Sequence, residues 1–165
     1  GLIDMVLDTD AYNEIDDQFA ISYALRSREK LNLKALYAAP FLNSRSSSPL
    51  DGMEKSYEEI VKLLKLADES ADVFKGSGAF LKSELEPVDS PAARDLAARA
   101  MSYSPERPLY VVAIGAITNI ASALLIEPRI LSKIVVVWLG GHPSSHHTAR
   151  EFNKTLISWM QNDER

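Results

Sequence analysis

The chain is 165 residues long, 46% apolar, with a net charge of −5 at pH 7 and no cysteine. That length suits one domain with a real core. The acidic balance argues against wrapping nucleic acid, and the lack of Cys removes disulfides, thiolate metal sites and a Cys nucleophile. No apolar run approaches the roughly 20 residues of a membrane span, so no membrane partner is expected. The chain begins at Gly1 rather than Met and opens on no signal peptide. The expected location is the cytoplasm, with export after removal of a leader left open.

In chain order, Leu2 to Leu7 reads as a strand, interrupted once by Asp4. Val6-Leu7-Asp8-Thr9-Asp10-Ala11-Tyr12-Asn13-Glu14-Ile15-Asp16-Asp17 follows directly, with five acidic residues in the ten positions from Asp8. A helix is predicted next, with Phe19, Ala20, Ile21 and Ala24 on its apolar side. Leu33 to Ala39 is a second candidate strand, and Asn43 to Gly52 reads as a long polar loop of the kind that covers active sites or simply lies on the surface. Met53 to Ala67 has apolar residues at 53, 57, 60, 61, 63, 64 and 66, which is helical periodicity. Ala71 to Phe74 is a short third strand. Ser90-Pro91 caps and opens a helix to about Ala100. Leu109 to Ile114 and Ile134 to Leu139 are continuous apolar runs suited to parallel strands buried on both faces. A helix from about Thr118 to Leu125 separates them. This alternation predicts an α/β fold, a Rossmann-like, doubly wound and mostly parallel sheet.

Carboxylates crowded as they are between Asp8 and Asp17 repel one another, so the fold needs a compensating charge. A hard cation supplies it, since Ca²⁺ and Mg²⁺ prefer carboxylate and carbonyl oxygens. A solvated helix N-terminus, favoured by the helix dipole, explains Asp16 and Asp17 but not Asp8 and Asp10 at a strand end. An EF-hand loop counted from Asp8 needs Gly sixth and Glu twelfth; Asn13 and Phe19 stand there, which rejects it. A haloacid dehalogenase-type phosphatase also starts with strand-Asp-x-Asp, usually followed by x-Thr or x-Val; Ala11-Tyr12 follow here and the Asp16-Asp17 pair has no place in that pattern, which leaves it a distant alternative.

Asp-x-Asp, a short loop and Asp-Asp opening a helix instead resemble the signature of the inosine/uridine-preferring nucleoside hydrolase family, in the form with two extra residues, Asn13-Glu14, inside the loop. Four further segments are similar to family motifs in order: Ala39-Pro40-Phe41-Leu42-Asn43, Ile114-Gly115-Ala116-Ile117-Thr118-Asn119, Leu139-Gly140-Gly141 and Glu151-Phe152-Asn153. The resemblance implies hydrolysis of the N-glycosidic bond of ribonucleosides, with a calcium ion holding the attacking water and the ribose hydroxyls. It makes Asp10 metal ligand and general base, and makes Asp17 and the backbone carbonyl of Ile114 further ligands. Asp16, Asn43, Glu151 and Asn153 would bind the sugar, with Asp8 and His142 in support.

Family members are about twice this length, and their C-terminal half supplies another Asp ligand, commonly beside a His that helps the base leave. Residues 1–165 therefore read as one nucleoside hydrolase-like α/β domain that is incomplete relative to the family. Asp163 and Glu164 are weak substitutes for the absent ligand. The alternatives are a non-catalytic nucleoside- or sugar-binding module, and a hydrolase of another ribosyl or glycosyl compound. The expected partner is a small ribonucleoside or related glycoside. A sheet edge left open by the short length leaves homo-oligomers open. His142, His146 and His147 read more simply as a polar loop than as a transition-metal site. Gly76-Ser77-Gly78 lacks the Gly-Lys-Ser/Thr of a phosphate loop. Trp138 and Trp159 read as core or interface, and Arg26 to Lys30 as a solvated helix end.

Overall fold

The computed structural model describes residues 1–140. The apolar runs become the strands β1 (Ile3–Thr9), β2 (Leu31–Ala38), β3 (Asp72–Lys75), β4 (Leu109–Ala113) and β5 (Ile134–Trp138). They form one sheet in the order β3-β2-β1-β4-β5, with every neighbouring pair parallel. Helices α1 (Ile15–Arg26), α2 (Pro49–Ala67), α3 (Pro91–Arg99) and α4 (Thr118–Ile126) lie between the strands in sequence. The fold is thus the α/β, doubly wound, parallel arrangement that the alternation implies.

Strand side chains alternate between the two sheet faces, and each face has its own core. Met5, Leu7, Leu36 and Ala38 pack with Ile21, Ala24 and Leu25 of α1 and with Met53, Ile60 and Leu64 of α2. Val6, Ala35, Tyr37, Val111 and Ala113 pack on the opposite side with Leu96 of α3 and Ile120 and Leu124 of α4. At about 1.5–3 kcal/mol for each fully buried aliphatic side chain, these two layers hold the sheet against the flanking helices.

The chain steps outward from β1 to β2 and β3, then returns to place β4 on the other side of β1. The C-terminal ends of β1 and β4 therefore lie side by side with their following connections diverging, and Asp8 pairs with Ala113 there. Ligands of open α/β sheets bind at such a switch point.

Three expectations are corrected. The second helix starts at Pro49 rather than Met53, because Ser48 accepts a hydrogen bond from the Asp51 backbone N (3.0 Å) and Pro49 occupies the first turn. Phe19 does not face the core: it is 69% exposed, and the buried positions of α1 are Asp17, Ile21, Ala24 and Leu25. The run Val135 to Val137 is not buried on both faces, since Val135 and Val137 are exposed while Val136 packs against the core. Among the described residues, no helix is long and apolar enough to cross a membrane.

Candidate active site

β1 runs on through Asp8 and Thr9, so the strand itself delivers the first carboxylate into the interior. Asp8 is fully buried. Its Oδ2 accepts a hydrogen bond from Asn119 Nδ2 at 2.8 Å, while its Oδ1 has no hydrogen-bond partner. Burial pushes the Asp8 carboxyl up to about 8; the Asn119 bond opposes this, and the charges of Asp10 and Asp17 add to it.

Asp10 follows at the strand end and is also buried. Its Oδ2 accepts from Asn13 Nδ2 at 3.0 Å. Asp17, in the first turn of α1, comes back beside it, near enough for the two carboxyls to influence each other. Thr9 Oγ1 donates to Asp17 Oδ2 at 2.6 Å and fixes its other side. Burial raises both carboxyls, Asp17 to about 7, and the charge of Asp10 adds to the rise at Asp17.

The turn after β4 closes the site. Ile114 N donates to Asp8 O at 2.9 Å, so the backbone of β4 continues alongside the acidic strand end. A Cβ on Gly115 would stand 2.8 Å from Asp10 Oδ1 and 2.9 Å from its Cγ. Only a glycine lets Asp10 lie against this turn. Trp138 Nε1 donates to Gly115 O at 3.0 Å and pins the turn from β5.

Asn119, named in the sequence only as part of a motif, joins four parts of the fold. From the first turn of α4 its Nδ2 donates to Asp8 Oδ2 and to Ala38 O, at the end of β2. Its Oδ1 accepts from both Ser77 N (2.7 Å) and Ser77 Oγ (2.8 Å). The turn at Gly76 and Ser77 exists for this contact: a Cβ on Gly76 would stand 1.9 Å from Ala38 O and 2.4 Å from Asn119 Nδ2. Thr9, Asn13, Ser77, Gly115 and Asn119 are the residues that reading the sequence left without a role. Their common signal, a polar or Gly residue beside a strand end, becomes informative only when the strand order is known.

Asp8, Asp10 and Asp17 are thus gathered at the switch point beside the Ile114-Gly115 turn. Asp16 is exposed on the first turn of α1. Asn43 lies in the loop after β2, with Nδ2 donating to Asn13 Oδ1 at 2.5 Å and Oδ1 accepting from Arg45 N at 2.8 Å. His142, Glu151 and Asn153 lie outside the described residues.

The donor chemistry suits a hard cation: two neighbouring carboxyls, and a buried carboxylate oxygen left without a partner. Among the described residues, no group of three or more Asp, Glu or His side chains is arranged to close on one ion. The acidic pair therefore offers part of a cation shell.

A doubly wound sheet with an acidic cluster at its switch point defines the class of protein. The chain belongs to the inosine-uridine preferring nucleoside hydrolase family, whose model matches residues 5–156. A comparison with curated protein sequences gives no match. Among solved structures, the inosine-guanosine nucleoside hydrolase (IG-NH) is 21% identical with a TM-score of 0.69, over 94% of this chain and 53% of its own. The purine-preferring ribonucleoside hydrolase from Gardnerella vaginalis is 23% identical with a TM-score of 0.62, over 84% and 49%. The inosine-uridine preferring nucleoside hydrolase from Bacillus anthracis is 18% identical with a TM-score of 0.52, over 87% and 52%. At these identities the likeness is one of fold. The chain spans about half the length of these structures.

Proposed function

We propose that the acidic cluster is the catalytic site of a calcium-dependent nucleoside hydrolase, cleaving the N-glycosidic bond of ribonucleosides. The observation that carries this reading is the closeness of the Asp10 and Asp17 carboxyls beside the unpartnered Oδ1 of buried Asp8. Asp10, Asp17 and the Ile114 carbonyl would hold the cation, Asp16 and Asn43 the sugar, and Asp8 would support the cluster. What a divalent cation supplies at such a site is charge compensation and acidification of a water molecule.

Asp10 then acts as general base. It takes a proton from the water as the water oxygen bonds to C1′ and the C1′–N bond breaks toward the base. The surrounding carboxylates favour the positive charge that develops on the sugar at the same moment. Burial matters here, because a poorly solvated carboxylate is a stronger base than an exposed one.

Reducing-sugar release from a panel of purine and pyrimidine nucleosides, with calcium and with chelator, tests the reading. Calcium-dependent release is expected, falling by more than ~10²-fold in Asp10→Asn while the melting temperature stays within a few degrees. Release that persists in Asp10→Asn would remove Asp10 from the chemistry. A folded chain that binds nucleoside without releasing sugar would make it a binding module.

A further inference from the structure

The loop between β1 and α1 contains a residue with more hydrogen bonds to its surroundings than an exposed turn requires. Asn13 uses nearly all of its polar groups. Its backbone N donates to Asp10 O at 2.7 Å, and its Nδ2 donates to Asp10 Oδ2 at 3.0 Å. Its Oδ1 accepts from Asn43 Nδ2, and its backbone O accepts from the Arg45 guanidinium at 2.6 Å.

The far side of this linkage is anchored. Asn43 N donates to Ser46 Oγ at 3.2 Å, and that hydroxyl donates to Phe41 O at 2.9 Å. Lys55, on α2, donates to Arg45 O at 2.9 Å and pairs with Asp51 at 2.8 Å. An unbroken line of hydrogen bonds therefore runs from α2 through the loop at residues 43–48 to Asn13, and from Asn13 to the carboxylate of Asp10.

An amide suits this place. Asp10 needs a donor and Asn43 offers a donor, so the linking side chain must donate at one end and accept at the other. A carboxylate at position 13 would accept from Asn43 but repel Asp10. A methyl would do neither.

We propose that Asn13 is the positioning residue of this site, fixing the Asp10 carboxylate and coupling it to the seating of Asn43. The inference rests on the reading of Asp10 as general base and of Asn43 as a sugar contact. Sugar engaged by Asn43 then tightens the grip on Asp10 through one shared amide, so binding and base orientation are linked.

Three readouts on the full chain test this. First, Asn13→Ala is expected to lower kcat by ~10- to 100-fold, the scale of a misplaced catalytic group. The KM should rise by a smaller factor than kcat falls, because Asn13 does not hold the substrate itself but Asn43 loses its partner. Second, Asn13→Ala added to Asn43→Ala is expected to cost much less than in the wild-type background, as residues acting through one linkage are not additive. Full additivity of the two would break the coupling.

Third, crystal structures of wild type and Asn13→Ala, grown at one pH with chelator, are expected to differ in the orientation of the Asp10 carboxylate. An unmoved carboxylate overturns the positioning role whether or not the wild type turns over. A wild type that releases no sugar from any nucleoside sinks the hydrolase reading, and the structural comparison still decides Asn13. Asn13→Asp guards against an effect of side-chain size alone. It is nearly isosteric with Asn, so turnover and an Asp10 orientation like wild type in that variant would count against the hydrogen bond.

Discussion

Asp8 is the residue whose environment departs furthest from its chemistry: a carboxylate with no exposure, one oxygen bonded to Asn119 and the other unpartnered. Its carboxyl is raised from 3.8 to about 8, so the folded chain holds this proton more tightly than the unfolded chain does. The stability associated with the proton is present in full below the unfolded value near 4. It is lost as pH rises toward 8, where folding forces an ionised carboxylate into the interior. Asp8→Asn keeps an acceptor for Asn119 and cannot ionise. Its new N–H pair costs about 1 kcal/mol if left unbonded, which is less than burying the charge. With chelator present, the variant should melt above the wild type at pH 8, and the gap should close toward pH 4. Melting curves at pH 4, 6 and 8 measure it; a gap that ignores pH would mean Asp8 does not titrate in the buried state. The carboxylates themselves were visible in the sequence because five acids in ten positions are improbable at a strand end. The residues that hold them were not. Asn119 bonds Asp8 across 111 positions of sequence, and Thr9, Ser77 and Gly115 resemble ordinary turn residues until the strands are laid side by side.

At the scale of elements, β4 and β5 were legible as strands because each is an unbroken Val- and Ile-rich apolar run, although β5, at the sheet edge, is buried on one face only. The ends of helices were harder to read. α2 takes in Pro49 to Gly52, a stretch whose Pro, Asp and Gly read as loop; Ser48 and Pro49 turn it into a capped first turn. Phe19 faces water although periodicity puts it on the apolar side, because polarity alone does not fix how a helix is turned and α1 sits with Asp17 inward. The stripe that is buried is Ile21, Ala24 and Leu25, with Asp17 in line with it. Gly52 shows which effect wins at the start of α2. Helix propensity alone would make Gly52→Ala stabilising by up to about 1 kcal/mol. A Cβ there, however, would stand 2.2 Å from Phe41 O and 2.9 Å from the Phe41 ring, inside any allowed contact. Backbone cannot yield as a flexible side chain can, so overpacking of about 1–3 kcal/mol dominates. Gly52→Ala should therefore lower the melting temperature, and because Phe41 leads into the loop carrying Asn43 and Arg45, it should weaken nucleoside binding as well. Denaturant melts and a binding titration check both; a more stable variant would mean that α2 and the Phe41 backbone are further apart in solution.

Among the described residues, several large apolar side chains are exposed, and two groups of them fall on regular elements. Ile15, Phe19 and Tyr23 recur at four-residue spacing along α1, which places them on one side of the helix, and all three are more than two-thirds exposed. On β5, Val135 and Val137 are exposed as well, and they pair in register with Tyr110 and Val112 of β4. Tyr110 and Val112 pack against the core layer to which α1 belongs, so the exposed valines lie on that side of the sheet. The described residues thus present exposed apolar groups on α1 and on the neighbouring sheet face. Such groups add little to the stability of the fold while they face water, within about 0.5 kcal/mol on substitution. They should nevertheless bind an environment-sensitive apolar dye. Phe19→Gln combined with Val137→Thr should lower dye fluorescence measurably, since both side chains are exposed, and leave the melting temperature within a degree or two. Unchanged fluorescence together with a melting temperature several degrees lower would mean that these side chains are packed in solution, since only buried apolar groups carry ~1.5–3 kcal/mol each.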